Sequence, residues 1–273
     1  MDCWVYEHGA WRQTNQGLSY SDRGLVYGDG LFETCRVHQG KIPLLDLHKQ
    51  RLKYGLQALY FPATTANLVE TALASLPSPA LKAGGKLLVT RGISQRGYDI
   101  PADITPSLIW YSFDTLAWGI ERFPEGYQVD LNSVLLARQP MLAGIKHLNR
   151  LEQVLARSKF VEGCQEMVMC DMQGYVVEGT MSNLFWFKDG YLFTPSLHYC
   201  GVRGVVRSWL MQQQRVNIVR IPPKQLMEAD AVFFTNAISG LVPVKQLSGH
   251  VFAQNDAWQS VLQLQKKLEL LYC

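Results

Sequence analysis

An Asp-Gly pair at positions 189 and 190 joins two short apolar runs, and it restricts the possible folds more than any other local signal. Leu184–Phe187 and Tyr191–Phe193 are typical of strands, and Asp-Gly in a short connection is typical of a tight hairpin. A hairpin pairs its strands antiparallel, whereas a doubly wound parallel sheet joins its strands through helices. Because hairpin strands here alternate with helical segments, the sequence predicts an α+β fold.

The length of the chain and one irregular stretch predict two domains. The chain has 273 residues, of which 48% are hydrophobic and 18% charged, a balance that can bury a core. Residues 115–127 have no regular pattern and are interrupted by glycines and a proline. We therefore predict an N-terminal domain at 1–114, a linker at 115–127 and a C-terminal domain at 128–273.

Apolar periodicity divides both domains into helices and strands. Apolar residues recurring every three or four positions predict helices, and short runs rich in β-branched and aromatic residues predict strands. The other predicted strands are Trp4–Trp11, Leu31–Val37, Lys86–Thr90, Ser107–Phe113, Val129–Leu136, Glu166–Cys170, Tyr175–Val177, Val216–Ile221 and Ala231–Thr235. The predicted helices cover residues 45–59, 69–76, 148–160 and 202–214, with a last helix from about Asp256.

Charge and targeting signals argue against nucleic-acid and membrane partners. The net charge is +3, and the lysines and arginines form no cluster. The N-terminus lacks the basic start and apolar stretch of a signal peptide, and no apolar run approaches the roughly 20 residues of a membrane helix. These features predict a soluble cytoplasmic protein.

Several familiar cofactor and metal motifs are missing. The six cysteines include no C-x-x-C pair and the six histidines are dispersed, so we expect reduced thiols and no metal site. Glu33 stands where a dinucleotide fingerprint beginning at Gly28 would need its third glycine. No P-loop, H-E-x-x-H or G-x-S-x-G occurs. Neither NAD, ATP nor zinc chemistry is indicated.

Lys146 is the candidate for the chemistry. It follows small and apolar residues and stands directly before the predicted helix at 148–160. Partial burial and a helix N-terminus both disfavour the charged ammonium, and a neutral amine can form a Schiff base. The alternative is a solvated surface lysine, the commoner fate of this residue type.

Motifs along most of the chain favour the first alternative. The Gly144–Gln153 segment resembles the cofactor-lysine motif of the aminodeoxychorismate lyases. These belong to the fold-type-IV family of pyridoxal-phosphate enzymes, together with the branched-chain and D-amino-acid aminotransferases. Further segments resemble the family in its order: Ser21–Gly24, Tyr27–Glu33, His48–Leu52, Thr90–Gly92, Arg96–Tyr98, Glu178, Ser182–Phe185, Gly201–Gly204, Asn236–Ala237 and Val242–Val244.

The resemblance implies a fold and a cofactor. The fold would have a smaller N-terminal α/β domain and a larger C-terminal domain with a mixed, barrel-like sheet, with pyridoxal 5'-phosphate between them. Lys146 would hold the cofactor covalently and serve as the acid/base. Glu178 would lie against the pyridine nitrogen and keep it protonated. A surface glutamate after a strand is the alternative for Glu178.

The resemblance also implies phosphate and substrate ligands. Arg51 would bind the phosphate, with backbone N–H groups of Val202 and Arg203 at a helix start. Related enzymes often carry a small polar residue at position 203, so a hydroxyl contact is lost there. The remaining implied ligands are Asn236 and Ala237 for the phosphate and Arg96 and Tyr98 for a substrate carboxylate. An ordinary loop arginine is the alternative for Arg96.

The implied activity is that of an aminodeoxychorismate lyase, which releases 4-aminobenzoate, a folate precursor, and pyruvate. Phe32 stands where the aminotransferases tend to have tyrosine, which agrees with a lyase. Two alternatives remain: an aminotransferase of the same fold acting on D-amino or branched-chain amino acids, and a non-catalytic ligand-binding protein. The resemblance further implies a homodimer.

Overall fold

The computed structural model describes residues 2–81, 84–114 and 117–272. The chain forms two compact units, Met1–Thr115 with Ile145–Asn149, and Leu116–Gly144 with Arg150–Cys273. Residues 115 and 116 of the predicted linker lie outside the described residues, and the rest of that stretch contains a short helix and the first residue of a strand. The domain boundaries expected from the sequence stay a prediction.

The first unit is a sheet covered on one face by helices. Its helices are α1 (Arg23–Tyr27), α2 (Leu45–Ala58) and α3 (Thr64–Ala74), and its strands are β1 (Cys3–Glu7), β2 (Ala10–Gln13), β3 (Gly30–Arg36), β4 (Gly84–Thr90) and β5 (Ser107–Phe113). Among the described residues the sheet has five strands in the order β2-β1-β5-β4-β3, all antiparallel. Leu52 and Leu56 of α2 and Val69 of α3 pack on Leu87 and Trp110 of the sheet.

The lysine segment lengthens this sheet at its β3 edge. The Phe32 N–H donates to the Lys146 carbonyl at 3.0 Å, and the Leu148 N–H donates to the Gly30 carbonyl at 3.0 Å. Leu31 and His147 form an isolated antiparallel bridge between these bonds. These backbone bonds explain why residues 145–149 belong to the first unit although they stand far along the chain.

The second unit is built on a larger mixed sheet. Its helices are α4 (Gly119–Arg122), α5 (Leu151–Ser158), α6 (Val205–Gln213), α7 (Pro223–Leu226) and α8 (Asp256–Glu269). Its strands are β6 (Tyr127–Leu131), β7 (Glu166–Cys170), β8 (Val176–Gly179), β9 (Asn183–Lys188), β10 (Tyr191–Pro195), β11 (Val216–Val219), β12 (Ala231–Asn236), β13 (Gly240–Leu247) and β14 (His250–Val251). The described strands run in the order β11-β10-β9-β12-β13-β6-β7-β8, with β14 paired to β13.

This second sheet curls so that its two ends meet. The Val176 N–H at the start of β8 donates to the carbonyl of Ile221, just beyond β11, at 3.0 Å. Leu184 and Phe234 are buried in the core on one face of the sheet, and Phe185 and Phe233 are fully buried on the other face, where their rings stack. The predicted Asp-Gly hairpin joins β9 to β10, with Asp189 and Gly190 both at positive φ. The α+β expectation, with a smaller N-terminal sheet and a larger curled mixed sheet, is therefore confirmed.

Several sequence expectations about elements differ from the structure; the strand expected at Val129–Leu136, for example, runs from Tyr127 to Leu131. The predicted strand Trp4–Trp11 is a hairpin, because the chain turns at His8 and Gly9 with φ of 52° and 81°. The helix expected from residue 148 begins at Leu151, because residues 146 and 148 are held by β3. Strand β13 was not foreseen, since it contains Pro243. Its pairing with β6 starts only at Val244 and carries an irregularity, which is where a proline is tolerated.

None of the described helices is long and apolar enough to cross a bilayer. The described cysteines are free: Cys3, Cys35, Cys164, Cys170 and Cys200. Cys273 lies outside the described residues. In residues 2–81, 84–114 and 117–272, no group of three or more His, Cys, Asp or Glu side chains could hold a metal ion.

Candidate active site

Lys146 lies beside the edge of β3, where its own backbone is paired. Its Nζ is 4.3 Å from the centroid of the Phe32 ring, close enough for a cation–π contact. The side chain is neither fully exposed nor fully buried. A helix N-terminus directly after Lys146 was expected, and this is wrong because α5 starts only at Leu151. The surroundings of the amine in this unit therefore include an aromatic ring and a strand edge.

Arg51 is fixed by Glu33, a buried carboxylate of β3. Its Nε donates to Oε1 of Glu33 at 2.7 Å, and its Nη2 donates to Oε2 of the same carboxylate. His48, one turn before Arg51 on α2, contacts Oε2 through Nδ1. The Glu33 and His48 side chains are each 2% exposed, and that of Arg51 is 9% exposed. These two hydrogen bonds orient the guanidinium of Arg51. A guanidinium has five N–H donors, which is more than the two that bond to Glu33.

The charge of Glu33 follows from its neighbours Arg51 and His48. Burial by itself would raise the pKa of the Glu33 carboxyl, but the attraction of Arg51 and His48 and their hydrogen bonds outweigh it and lower the pKa to about 2. Glu33 is therefore a carboxylate at every physiological pH. A strong fork between oppositely charged groups holds one orientation of Arg51.

In the second unit, Glu178 lies at the centre of a hydrogen-bonded turn. Its Oε2 accepts from the Val202 N–H at 2.8 Å and from Nδ2 of Asn183 at 3.4 Å. Asn183 also donates to the Val202 carbonyl at 2.8 Å and accepts from the Gly204 N–H at 2.9 Å. Glu178 is 4% exposed, so it is a buried, rigidly held carboxylate and the surface alternative is wrong.

The turn before α6 differs from what the sequence implied. The Val202 N–H is bonded to Glu178, and the Arg203 N–H donates to the Gly144 carbonyl at 3.1 Å. Both groups therefore already have protein acceptors, and the helix starts only at Val205. Its N-cap Gly204 has no side chain to cap the first turn, so the first helical N–H groups are the ones suited to an anion.

Asn236 and Ala237 form the turn between β12 and β13. The Asn236 side-chain oxygen accepts from the N–H groups of Ile238 and Ser239 at 2.9 and 2.7 Å. The amide is thereby used to shape its own turn. If this turn binds a phosphate, backbone groups of the turn would have to make the contact.

Arg96 and Tyr98 lie on a loop that projects into solvent. Tyr98 is 84% exposed, and Arg96 is exposed as well. Arg23, which is 4% exposed and paired with Asp29, holds this loop by donating to the three carbonyls of residues 97–99 at 3.1–3.2 Å. The loop is therefore anchored through its backbone, and the Tyr98 ring also packs against the ring of Tyr27 on α1, with 5.2 Å between the centroids.

These donors have the chemistry that pyridoxal phosphate requires. The cofactor takes a primary amine at its aldehyde, cationic or N–H donors at its phosphate and a carboxylate at its ring nitrogen. The first unit offers the amine of Lys146 and the oriented guanidinium of Arg51. The second unit offers the buried carboxylate of Glu178 and the uncapped start of α6. The residues present therefore fit the group.

Sequence reasoning missed two members of this arrangement. Glu33 and His48 stand inside the motifs that carried the family resemblance, but no role was expected for either. The available signal was an acidic residue next to Phe32 in an apolar strand, which is costly unless a cation is nearby. Only the packing of α2 on β3 brings that cation to it.

The fold and these residues place the chain in a known family. Residues 30–247 match the family model described as Amino-transferase class IV, and the chain belongs to this family. Among curated proteins, the aminodeoxychorismate lyase of Vibrio harveyi is 32% identical over 234 residues, which are 83% of this chain and 86% of that protein.

Two solved structures have the same fold over nearly the whole chain. The 4-amino-4-deoxychorismate lyase of Pseudomonas aeruginosa has a TM-score of 0.88 and 39% identity, with 98% of each chain covered. A hypothetical aminotransferase of Mycobacterium tuberculosis, solved in its form with bound pyridoxal phosphate, has a TM-score of 0.79 at 19% identity, again with 98% of each chain covered. The fold is thus that of fold-type-IV enzymes, a family whose members bind pyridoxal phosphate.

Proposed function

We propose that this chain is an aminodeoxychorismate lyase that uses pyridoxal 5'-phosphate. The observation that carries the proposal is the similarity to two such lyases at 32% and 39% identity, in the second case along 98% of the chain. The contact of Lys146 with Phe32 supports it, because the related aminotransferases tend to have a tyrosine at this position.

The proposal assigns residues of both units to one cofactor. Lys146 holds the aldehyde carbon, and Glu178 keeps a proton on the ring nitrogen. Arg51 binds the phosphate in the orientation that Glu33 imposes. The other phosphate ligands are the turn at Asn236 and Ala237 and the backbone that follows Val202 and Arg203, where the open N–H groups of α6 begin. Pyridoxal phosphate supplies an electron sink next to the substrate amine.

Lys146 then moves the two protons of the reaction. Its neutral amine removes the proton from the amine-bearing ring carbon, the enolpyruvyl C–O bond breaks, and the ring becomes aromatic. The same side chain returns a proton to the methylene of the departing enolpyruvate, which gives pyruvate. Positioned proton transfer of this kind contributes on the order of 100- to 10,000-fold to a rate. Arg96 and Tyr98 stay candidates for a substrate carboxylate.

An aminotransferase is the second candidate. The match of residues 30–247 to the class IV aminotransferase model supports it, and such an enzyme would use the same lysine, arginine and glutamate. The two candidates differ in the substrate pocket. We expect poor transamination, since Phe32 lacks the hydroxyl that the related aminotransferases tend to have at this position.

The decisive experiment is to supply the purified, cofactor-loaded protein with aminodeoxychorismate and to measure 4-aminobenzoate by fluorescence and pyruvate by a coupled assay. We expect equimolar release of both, and none from Lys146→Ala. Parallel assays with D-alanine and with leucine measure transamination. Efficient transamination without 4-aminobenzoate would contradict the lyase and leave the cofactor assignment intact.

We further expect a homodimer, as the family resemblance implies. Sedimentation velocity of the loaded protein would measure its mass against the 30.9 kDa of one chain. A monomer that retains full activity would contradict this expectation without affecting the assignment of the reaction.

A further inference from the structure

Lys86 lies in an inner strand of the first unit, on the same face as Phe32. It belongs to β4, where it stands opposite Thr34 of β3 and Tyr111 of β5. Its Nζ is 4.5 Å from the centroid of the Phe32 ring and 5.7 Å from that of Tyr111. The side chain is half-buried. The neighbouring residue Leu87 belongs to the core together with Trp110, so Lys86 lies on the face of the sheet opposite that core.

The ammonium group of Lys86 has no acidic partner in the part of the chain that the structure describes. Among the described residues it makes no ion pair or hydrogen bond, and its contacts are with the two aromatic rings. The side chain is half-buried, and each cation–π contact is worth only about 0.5–2 kcal/mol. The amine can therefore also pair with an anion from outside the chain.

A second amine lies against the same ring. Lys146 Nζ is 4.3 Å from the Phe32 centroid and Lys86 Nζ is 4.5 Å from it. In the proposed reaction Lys146 acts as a neutral amine, which leaves Lys86 as the cation at this ring. An anionic group bound beside the ring would therefore pair with Lys86. Its natural source is a molecule that reacts at Lys146.

We propose that Lys86 binds a carboxylate of the substrate. This rests on the proposed function, in which the substrate is a cyclohexadiene carrying one amine and two carboxylates. The amine goes to the reacting centre at Lys146, so a carboxylate on the same ring system falls on the neighbouring cation. Lys86 is therefore a substrate-binding and specificity-determining residue that favours dicarboxylates over simple amino acids.

The test compares Lys86→Met with Lys188→Met. Methionine keeps most of the length of the side chain and removes its charge, and Lys188 is a half-buried lysine at the end of β9 in the other unit. We expect KM for aminodeoxychorismate to rise roughly 10- to 100-fold in Lys86→Met, the effect of losing one charge-assisted hydrogen bond, with kcat within about threefold. Lys188→Met should match the wild type in both.

Binding of chorismate gives a second readout that does not depend on turnover. Chorismate carries both carboxylates and lacks the amine, so it occupies the site without reacting. Calorimetry on the loaded protein should give a Kd that rises in Lys86→Met by the same factor as KM, while Lys86→Arg keeps most of the affinity. Cofactor content should be equal in all variants, because Lys86 is not assigned to the cofactor.

The outcomes separate this inference from the proposed function. A KM and Kd that change by less than about twofold in Lys86→Met would overturn the role of Lys86 and leave the lyase intact. A wild type that binds chorismate in a Lys86-dependent manner but releases no 4-aminobenzoate would support Lys86 and contradict the lyase. A wild type that binds no chorismate would overturn the inference. If Lys86→Met unfolds, KM and Kd are compared between Lys86→Gln, which removes the charge, and Lys86→Arg, which keeps it.

Discussion

Glu33 and Arg51 are joined by a buried fork, in which Nε and Nη2 of Arg51 donate to the two oxygens of the Glu33 carboxylate. The two residues come from β3 and α2, and Glu33 is the neighbour of Phe32, whose ring contacts Lys146. One strand therefore orients the proposed phosphate ligand on one side and contacts the proposed catalytic lysine on the other.

The first prediction concerns the stability supplied by the fork. Glu33→Gln leaves a buried guanidinium without its counter-charge, and removal of one partner of a buried pair costs about 3–5 kcal/mol. We expect the free energy of unfolding at pH 7 to fall by this amount in urea titrations. Glu7→Gln is the control, because Glu7 pairs with Arg12 at the surface with side chains 48% and 57% exposed, and should change little. Equal losses in both variants would contradict a special role for the fork.

The same variant predicts a pH dependence. The Glu33 pKa is lowered from 4.5 to about 2 in the folded state because Arg51 and His48 outweigh the effect of burial. The folded protein therefore keeps this carboxylate charged where the unfolded chain takes up a proton. Its contribution is complete above about pH 4.5 and is lost as the pH falls towards 2. Urea unfolding across that window should show a shallower decline for Glu33→Gln than for the wild type.

Glu178→Gln should separate cofactor binding from turnover. The amide oxygen of glutamine can still accept from the Val202 N–H, so the turn before α6 should persist. A neutral amide cannot hold a proton on the pyridine nitrogen, and the loss of such an electrostatic contact lowers kcat on the order of 100-fold. Cofactor absorbance and kcat should be measured together, with Glu125→Gln as a surface control. Wild-type turnover in Glu178→Gln would remove Glu178 from the ring-nitrogen role.

Borohydride reduction tests the covalent role of Lys146. We expect a phosphopyridoxyl label on Lys146 alone after reduction of the loaded protein and peptide mapping by mass spectrometry. Lys86→Met should keep this label, since Lys86 is the other amine that contacts the Phe32 ring and holds no cofactor in our assignment. A label on Lys86 in the wild type would mean that Lys86, and not Lys146, binds the cofactor covalently.

Arg23 should control the order of the loop that carries Arg96. Its guanidinium donates to the carbonyls of residues 97–99, and each charged hydrogen bond lost is worth roughly 1.5–3 kcal/mol. We expect trypsin to cut after Arg96 at least about tenfold faster in Arg23→Met. Arg91→Met is the matched control: Arg91 binds the same Asp29 but holds the carbonyls of residues 59 and 60. If cleavage after Arg96 is accelerated equally in the two variants, the cause is a general destabilisation of the unit and not the loss of the bonds from Arg23.

Local sequence signals were sufficient to predict turns, strands and helices whose conformation depends on residues within the same element. The Asp189-Gly190 turn forms because both residues accept positive φ, and the strand at Ser107–Phe113 matches its predicted bounds. The helix at Leu45–Ala58 ends within a residue of expectation, because its apolar spacing makes one face for the core. These features depend on residues close together in the chain.

The candidate site was less predictable, because its partners are distant in sequence. The motif around Lys146 indicated the lysine itself, but not that its backbone would pair with β3, far away in the chain, and so delay the start of α5 to Leu151. The N–H groups of Val202 and Arg203 were expected to bind the cofactor phosphate. In the structure they donate instead to the Glu178 carboxylate and to the Gly144 carbonyl. A hydrogen-bond donor has no fixed acceptor until the fold brings one within about 3 Å.

The sequence by itself determined the fold class and the family, since hairpin chemistry, apolar periodicity and ordered motifs are properties of neighbouring residues. It also singled out Lys146 as the candidate for the chemistry. Only the tertiary structure decided that Glu33 and His48 orient Arg51. It also decided that the amines of Lys86 and Lys146 both contact the Phe32 ring. The physical reason is that charge pairing depends on distance and burial. A strand residue acquires a charged neighbour only when another strand or helix packs against it.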